Sequence, residues 1–142
     1  MDSITLTGIE VFGRHGVLPH EREYGQRFVV DAALELDLAA AAASDDLADT
    51  VDYGRLSGDI AAIVAGEPFD LIERLAGAIA DRCLADRRVR AVEVTVHKPA
   101  APLPVVATEV SVTLRRAGGQ RGSEATETGD PASETTETGD PA

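Results

Sequence analysis

The sequence predicts an α+β domain built as one antiparallel sheet with helices on one face, and three observations carry that expectation. Alternating apolar segments are grouped at both ends of residues 1–116, and two stretches with helical periodicity lie between them. The longest alternating segment is apolar on one side and mostly polar on the other, as in a sheet covered on one face. The expected order is ββααββ.

The first strand is expected over Ile4 to Gly13, where Ile4 and Leu6 alternate before the phase slips at Gly8 to Ile9 and Val11. A slip at glycine suggests a β-bulge. In the second strand Phe28, Val30, Ala32, Leu34, Leu36 and Leu38 alternate with Arg27, Val29, Asp31, Ala33, Glu35 and Asp37. One helix is expected from about Tyr53 to Ala65 on Leu56, Ile60, Ile63 and Val64. A second runs from about Asp70 to Ala85, with Leu71, Leu75, Ile79 and Cys83 facing the core. Gly66 and Pro68 separate the two. The third strand covers 90–98, with Val92, Val94 and Val96 sharing a face. The fourth covers about 106–116, with Val106, Val110, Val112 and Leu114 in the core phase. Residues 123–142 are a tandem near-copy, SEATETGDPA then SETTETGDPA, without a large apolar residue. Such a segment cannot offset its ordering entropy, so residues 117–142 are expected to be a disordered acidic tail and the domain to end near Arg116.

A chain of 142 residues supports one domain with a real core. No apolar run reaches membrane-spanning length, and the start MDSITLTGIEV lacks the basic and apolar blocks of a signal peptide, so a cytoplasmic protein without a membrane partner is expected. The single cysteine, Cys83, allows no internal disulfide and reads as a buried thiol. A net charge of −12 argues against a nucleic-acid partner, because a phosphate backbone is repelled. The tail carries six of the 25 acids and one of the 13 bases, so the domain itself has 19 acids against 12 bases, a net of −7.

Four places depart from what folding alone requires. The loop RHGVLPHEREYGQ, 14–26, holds Gly16 and Gly25 with the titratable His15, His20 and Glu21; a solvated hairpin connection is the plain alternative. The segment SDDLADTVDYG, 44–54, leads to Tyr53 at a helix start, where acids are ordinary. In FDLIERLAGAIAD, 69–81, Glu73 lies over Gly77 and Ala80, small residues that leave room beside a carboxylate, although an acid in a first helical turn also needs no ligand. Finally, Lys98 continues the face of Val92, Val94 and Val96, and Pro99 ends the strand there, so an ammonium is fixed at the rim of an apolar surface. A lysine that snorkels to water is the plain alternative. The three histidines have no metal-ligand spacing, and His97 should face away from Lys98. An acid, a phenol and an amine suit proton transfer better than hydrolysis.

The segments GIEVFGRHGVLPHEREYGQRF, SDDLADTVDYG, FDLIERLAGAIAD and VTVHKPAAPLP, taken together, resemble the dihydroneopterin aldolases of folate biosynthesis over about residues 3–116. The resemblance implies a tunnelling fold whose subunits join sheets into rings, two stacked tetrameric rings making an octamer with sites between subunits. It implies retro-aldol cleavage of 7,8-dihydroneopterin, with possible epimerisation, on a pterin substrate and without a cofactor. By position in the family's motifs, Glu73 anchors the amino-pyrimidine edge, Lys98 takes part in proton transfer, Tyr53 comes from the neighbouring subunit, and Glu21 lies beside the substrate side chain. Leu18 and Ile72 are further implied substrate contacts. Two rivals stay open at this point: the related dihydroneopterin triphosphate epimerases, and a ring that binds pterins or purines without chemistry.

Overall fold

A computed structural model describes residues 1–120. Strands β1 (Asp2–Gly13), β2 (Gln26–Leu36), β3 (Ala91–Lys98) and β4 (Val110–Ala117) form one antiparallel sheet in the order β1-β2-β3-β4. Helices α3 (Tyr53–Ala65) and α4 (Ile72–Leu84) cover one face, α3 over β1 and α4 over β3 and β4. Two shorter helices, α1 (Pro19–Tyr24) and α2 (Ala39–Ser44), lie in the connections. The fold is the expected α+β class in the expected ββααββ order.

Alternation sets the core. Phe28, Val30, Ala32, Leu34 and Leu36 from β2 are fully buried with Val92, Val94 and Val96 from β3, against Leu56, Ile60 and Val64 of α3 and Leu75, Ile79 and Cys83 of α4. Each large side chain buried this way contributes about 1.5–3 kcal/mol of transfer free energy. The bulge in β1 falls where the phase slips: the register shifts between Leu6 and Ile9, Gly8 adopts φ 74°, and its N–H donates to Asp31 Oδ1 at 2.7 Å.

Several boundaries differ from the sequence reading. β4 begins at Val110 rather than 106, and Val106 is fully exposed. The cause is register: Val110 pairs with Lys98, and the next partners would be Pro99 and residues beyond it, which leave the sheet. β2 stops at Leu36; Leu38 instead leads into α2, formed by the alanine run 39–43. α4 starts at Ile72, with Leu71 outside its first turn, so Leu71 is exposed and Ile72 takes the core position. Ala80 is fully buried, leaving only Gly77 as open space on the Glu73 side. β4 runs on to Ala117, and Gly118 N–H donates to Arg90 O at 2.8 Å before a short 3-10 turn, Gly118–Gln120. The acidic repeat expected to be disordered lies outside the described residues. Among the described residues no helix is long and apolar enough to cross a membrane.

Candidate active site

Lys98 closes β3 on the helix-covered side, in register with three fully buried valines, and its side chain is only 13% exposed. It does not snorkel to bulk water. Its Nζ lies 2.6 Å from Oε2 of Glu21, which is 3% exposed. A buried charge is costly unless paired and hydrogen-bonded, and both conditions hold. Glu21 Oε2 also accepts from Gln26 Nε2 at 3.1 Å, and its Oε1 accepts the Leu18 N–H at 3.2 Å at the start of α1. Burial alone would raise the Glu21 pKa, but the hydrogen bonds from Lys98, Leu18 and Gln26 outweigh it and hold the carboxyl below its usual range. Gly16 makes room for this carboxylate: with φ 152°, a Cβ there would sit 2.2 Å from Glu21 Oε1. Gln26 is a member of the site that sequence reasoning missed. Its Oε1 is buried without a hydrogen-bond partner among the described residues.

His15, expected only as a titratable loop residue, is completely buried. Its Nδ1 accepts the Phe69 N–H at 2.9 Å, so Nε2 must carry the proton that it donates to Val64 O at 2.7 Å. The ring stacks on Phe69 and meets Phe28 edge-on. Burial lowers its pKa, opposed by the Val64 bond and reinforced by the charges of Lys98 and Arg22.

The linker that His15 grips leads directly into α4. Glu73 stands exposed in the first turn of that helix, and its carboxylate makes no hydrogen bond or ion pair with the described residues. Arg74 and Leu75 N–H both donate to Leu71 O, and the earlier N–H groups of a helix have no intrahelical acceptor. Ile72 is buried in the core, whereas Leu18, before α1, is partly exposed. Lys98, Glu21, Leu18 and the head of α4 therefore belong to one end of the molecule.

Tyr53 does not. It opens α3, 58% exposed, at the end opposite Val64 and His15, about 16 Å away along the helix axis. There it borders a surface depression with Leu47, Asp52 and Gly54.

His97 points to the other side of the sheet from Lys98, as expected. Its Nδ1 donates to Glu109 at 2.8 Å and its Nε2 to Asp31 at 2.7 Å. Carboxylates accept only, so both nitrogens carry protons; the bonds to Glu109 and Asp31 raise its pKa against a smaller opposing effect of burial. Among the described residues no group of three or more His, Cys, Asp or Glu is arranged to hold a metal ion.

The family model for dihydroneopterin aldolase (FolB) matches residues 4–115. A dihydroneopterin aldolase from Streptomyces coelicolor is 50% identical over 117 residues, covering 82% of this chain and 98% of that one. Among solved structures, the E. coli dihydroneopterin aldolase in complex with neopterin has a TM-score of 0.76 at 31% identity, covering 82% of this chain and all of that one. The Burkholderia thailendensis dihydroneopterin aldolase bound to guanine has a TM-score of 0.68 at 32% identity, covering 82% and 90%. With the family model matching residues 4–115 and a relative 50% identical over 98% of its own length, the chain belongs to the dihydroneopterin aldolase family.

Proposed function

We propose that the chain cleaves 7,8-dihydroneopterin by a retro-aldol reaction to 6-hydroxymethyl-7,8-dihydropterin and glycolaldehyde, the reaction its family performs in folate biosynthesis. The observation that carries this reading is the water-shielded contact between Lys98 and Glu21, 2.6 Å long, at the rim of the apolar face. Cleavage between the first two side-chain carbons removes the proton of the second carbon's hydroxyl, whose oxygen becomes the aldehyde carbonyl. The electron pair of the broken bond passes through the first carbon into the substrate's own C=N group. A proton then returns to the first carbon. One proton is taken and one is given, so an adjacent amine and carboxylate that can exchange a proton serve both steps. The C=N group is the electron sink, so the scheme uses no cofactor. Re-forming the bond on the other face of the aldehyde before release yields the epimer.

Glu73 is the proposed anchor. Guanine and pterin share an edge on which a ring N–H and an amino group lie side by side, and a carboxylate matches them with two parallel hydrogen bonds. The ligands of the E. coli and Burkholderia relatives, neopterin and guanine, both carry that edge. The buried Oε1 of Gln26 supplies an acceptor for a substrate hydroxyl beside Glu21.

The position of Tyr53 bears on assembly. A residue at the far end of α3 serves chemistry at Lys98 only if a second chain brings it there, which supports a site between subunits. Among the described residues the outer strands β1 and β4 leave open edges, and Leu103, Val105 and Val106 are exposed in the loop before β4. Both features suit edge-to-edge joining into rings and stacking of two tetrameric rings into an octamer.

Incubation with 7,8-dihydroneopterin and chromatographic identification of the products tests the reaction. Release of 6-hydroxymethyl-7,8-dihydropterin with glycolaldehyde is expected; unchanged substrate, or the epimer alone, overturns it. Mixing inactive Tyr53→Phe with inactive Lys98→Ala, with exchange of subunits, tests the shared site. Partial recovery of activity is expected, and no recovery in demonstrated mixed assemblies contradicts it.

A further inference from the structure

The geometry points to His15 as a positioning residue that sets the distance between the Glu73 anchor and the Glu21–Lys98 pair, an inference that rests on the reaction proposed above. Four links join the segment carrying Glu21 to the two long helices, three of them to the chain entering α4 and one to the end of α3. Two come from the His15 ring, to Val64 O and from Phe69 N–H, at 2.7 and 2.9 Å. A third is Gly16 N–H to Phe69 O at 3.0 Å. The fourth is Arg22, whose Nε donates to Gly16 O at 3.1 Å while its NH2 group pairs with Asp70.

Only His15 reaches both the end of α3 and the linker while lying entirely out of water. Phe69 is four residues before Glu73, and Gly16 packs against the Glu21 carboxylate. The ring is thus a spacer of fixed length, satisfied at both nitrogens, between the element that holds the pterin and the element that moves protons. A pterin held by Glu73 presents its side chain to Lys98 only if that spacing is kept. Displacement of about 1 Å between bound substrate and catalytic groups can cost roughly 10²-fold in rate.

The test compares His15→Phe, which keeps an aromatic ring but neither hydrogen bond, with His15→Asn and His15→Gln, each able to restore one of the two. Fold and assembly are checked first by circular dichroism and light scattering. Then 6-hydroxymethyl-7,8-dihydropterin is titrated at equilibrium, and single-turnover cleavage of 7,8-dihydroneopterin is measured. The expected result is a loss of about 10²-fold in single-turnover rate for His15→Phe with pterin affinity nearly kept, and partial recovery of rate in Asn or Gln. If the Phe variant does not fold, the Asn and Gln variants carry the same comparison against wild type. Rate and affinity falling together in proportion to lost stability, or a rate equal to wild type, overturns the role of His15 while wild-type cleavage stands. A wild-type chain that releases no glycolaldehyde overturns both this role and the proposed reaction.

Discussion

Two adjacent residues of β3, His97 and Lys98, face opposite sides of the sheet and meet opposite surroundings. On the helix-covered side Lys98 ends a column of buried valines and meets one buried carboxylate, with Gln26 the only other side chain among the described residues bonded to that acid. On the other side His97 joins a polar lattice. It bridges Asp31 and Glu109, Asp31 also holds the Gly8 bulge, Thr95 bonds Thr113, and Arg115 pairs with Glu35. The first arrangement isolates one charge pair from water at the end of an apolar column. The second spreads polar contacts over four strands and ties the entry of β4 to the sheet. The lesson is that site chemistry here comes from scarcity of polar partners, and sheet rigidity on the opposite face from their abundance.

Disturbing the helix-covered side should have the larger effects. Glu21→Gln leaves the Lys98 ammonium without its counter-charge in a buried place, and breaking such a pair costs about 3–5 kcal/mol. The urea midpoint should fall at unchanged slope, with turnover lost as well; an unchanged midpoint would mean that the pair is solvated in solution. Gly16→Ala drives a methyl group into the Glu21 carboxylate at a backbone angle that favours glycine, so turnover should drop by roughly 10²-fold. Normal steady-state turnover in that variant would contradict the packing described for Glu21.

On the polar side, His97→Gln should cost only about 1 kcal/mol and leave turnover far less affected than Glu21→Gln does. Its effect has a pH signature. The folded-state pKa of His97 is raised, so its contribution is fully present below the unfolded value near 6.5 and is lost as pH rises through the folded value. His15 and Glu21 have lowered values, so their contributions are present above about 6.5 and 4.5 respectively and are lost as pH falls. Thermal unfolding of wild type and His97→Gln across pH 5 to 9 should therefore converge toward the alkaline end. Divergence there would mean that His97 is not held as an imidazolium. The smallest effect is expected from removing residues 121–142, which should leave turnover nearly unchanged; a large loss would give that acidic segment a role in the site.

The side of the sheet on which Lys98 lies was legible in the sequence, because a period of two carries the valine face to it and Pro99 stops the strand. The bulge was legible for a similar reason, since only a phase slip reconciles Leu6 with Ile9. The partner of Lys98 could not be read that way. Glu21 lies 77 positions away in a loop, and its pairing with Lys98 depends on a short helix that the loop pattern did not reveal; family resemblance, rather than spacing, singled it out. His15 and Gln26 were illegible in function because burial of a loop residue is decided by tertiary packing against Phe69, Val64 and the Glu21 carboxylate. The ends of β4 and α4 shifted because pairing register and helix start, not apolar periodicity, fix them.

In the proposed reaction labour is divided, with Glu73 holding the substrate and Lys98 transforming it. The direct measurement is a pair of equilibrium titrations of Glu73→Ala and Lys98→Ala with 6-hydroxymethyl-7,8-dihydropterin, alongside single-turnover rates with 7,8-dihydroneopterin. Removing Glu73 forfeits charge-assisted hydrogen bonds of about 1.5–3 kcal/mol each, present in substrate and product alike, so affinity should fall for both. Removing Lys98 should lower the single-turnover rate by roughly 10²–10⁴-fold while pterin affinity changes much less. A Lys98→Ala variant that loses affinity as severely as Glu73→Ala, yet cleaves bound substrate at the normal rate, would contradict the claim.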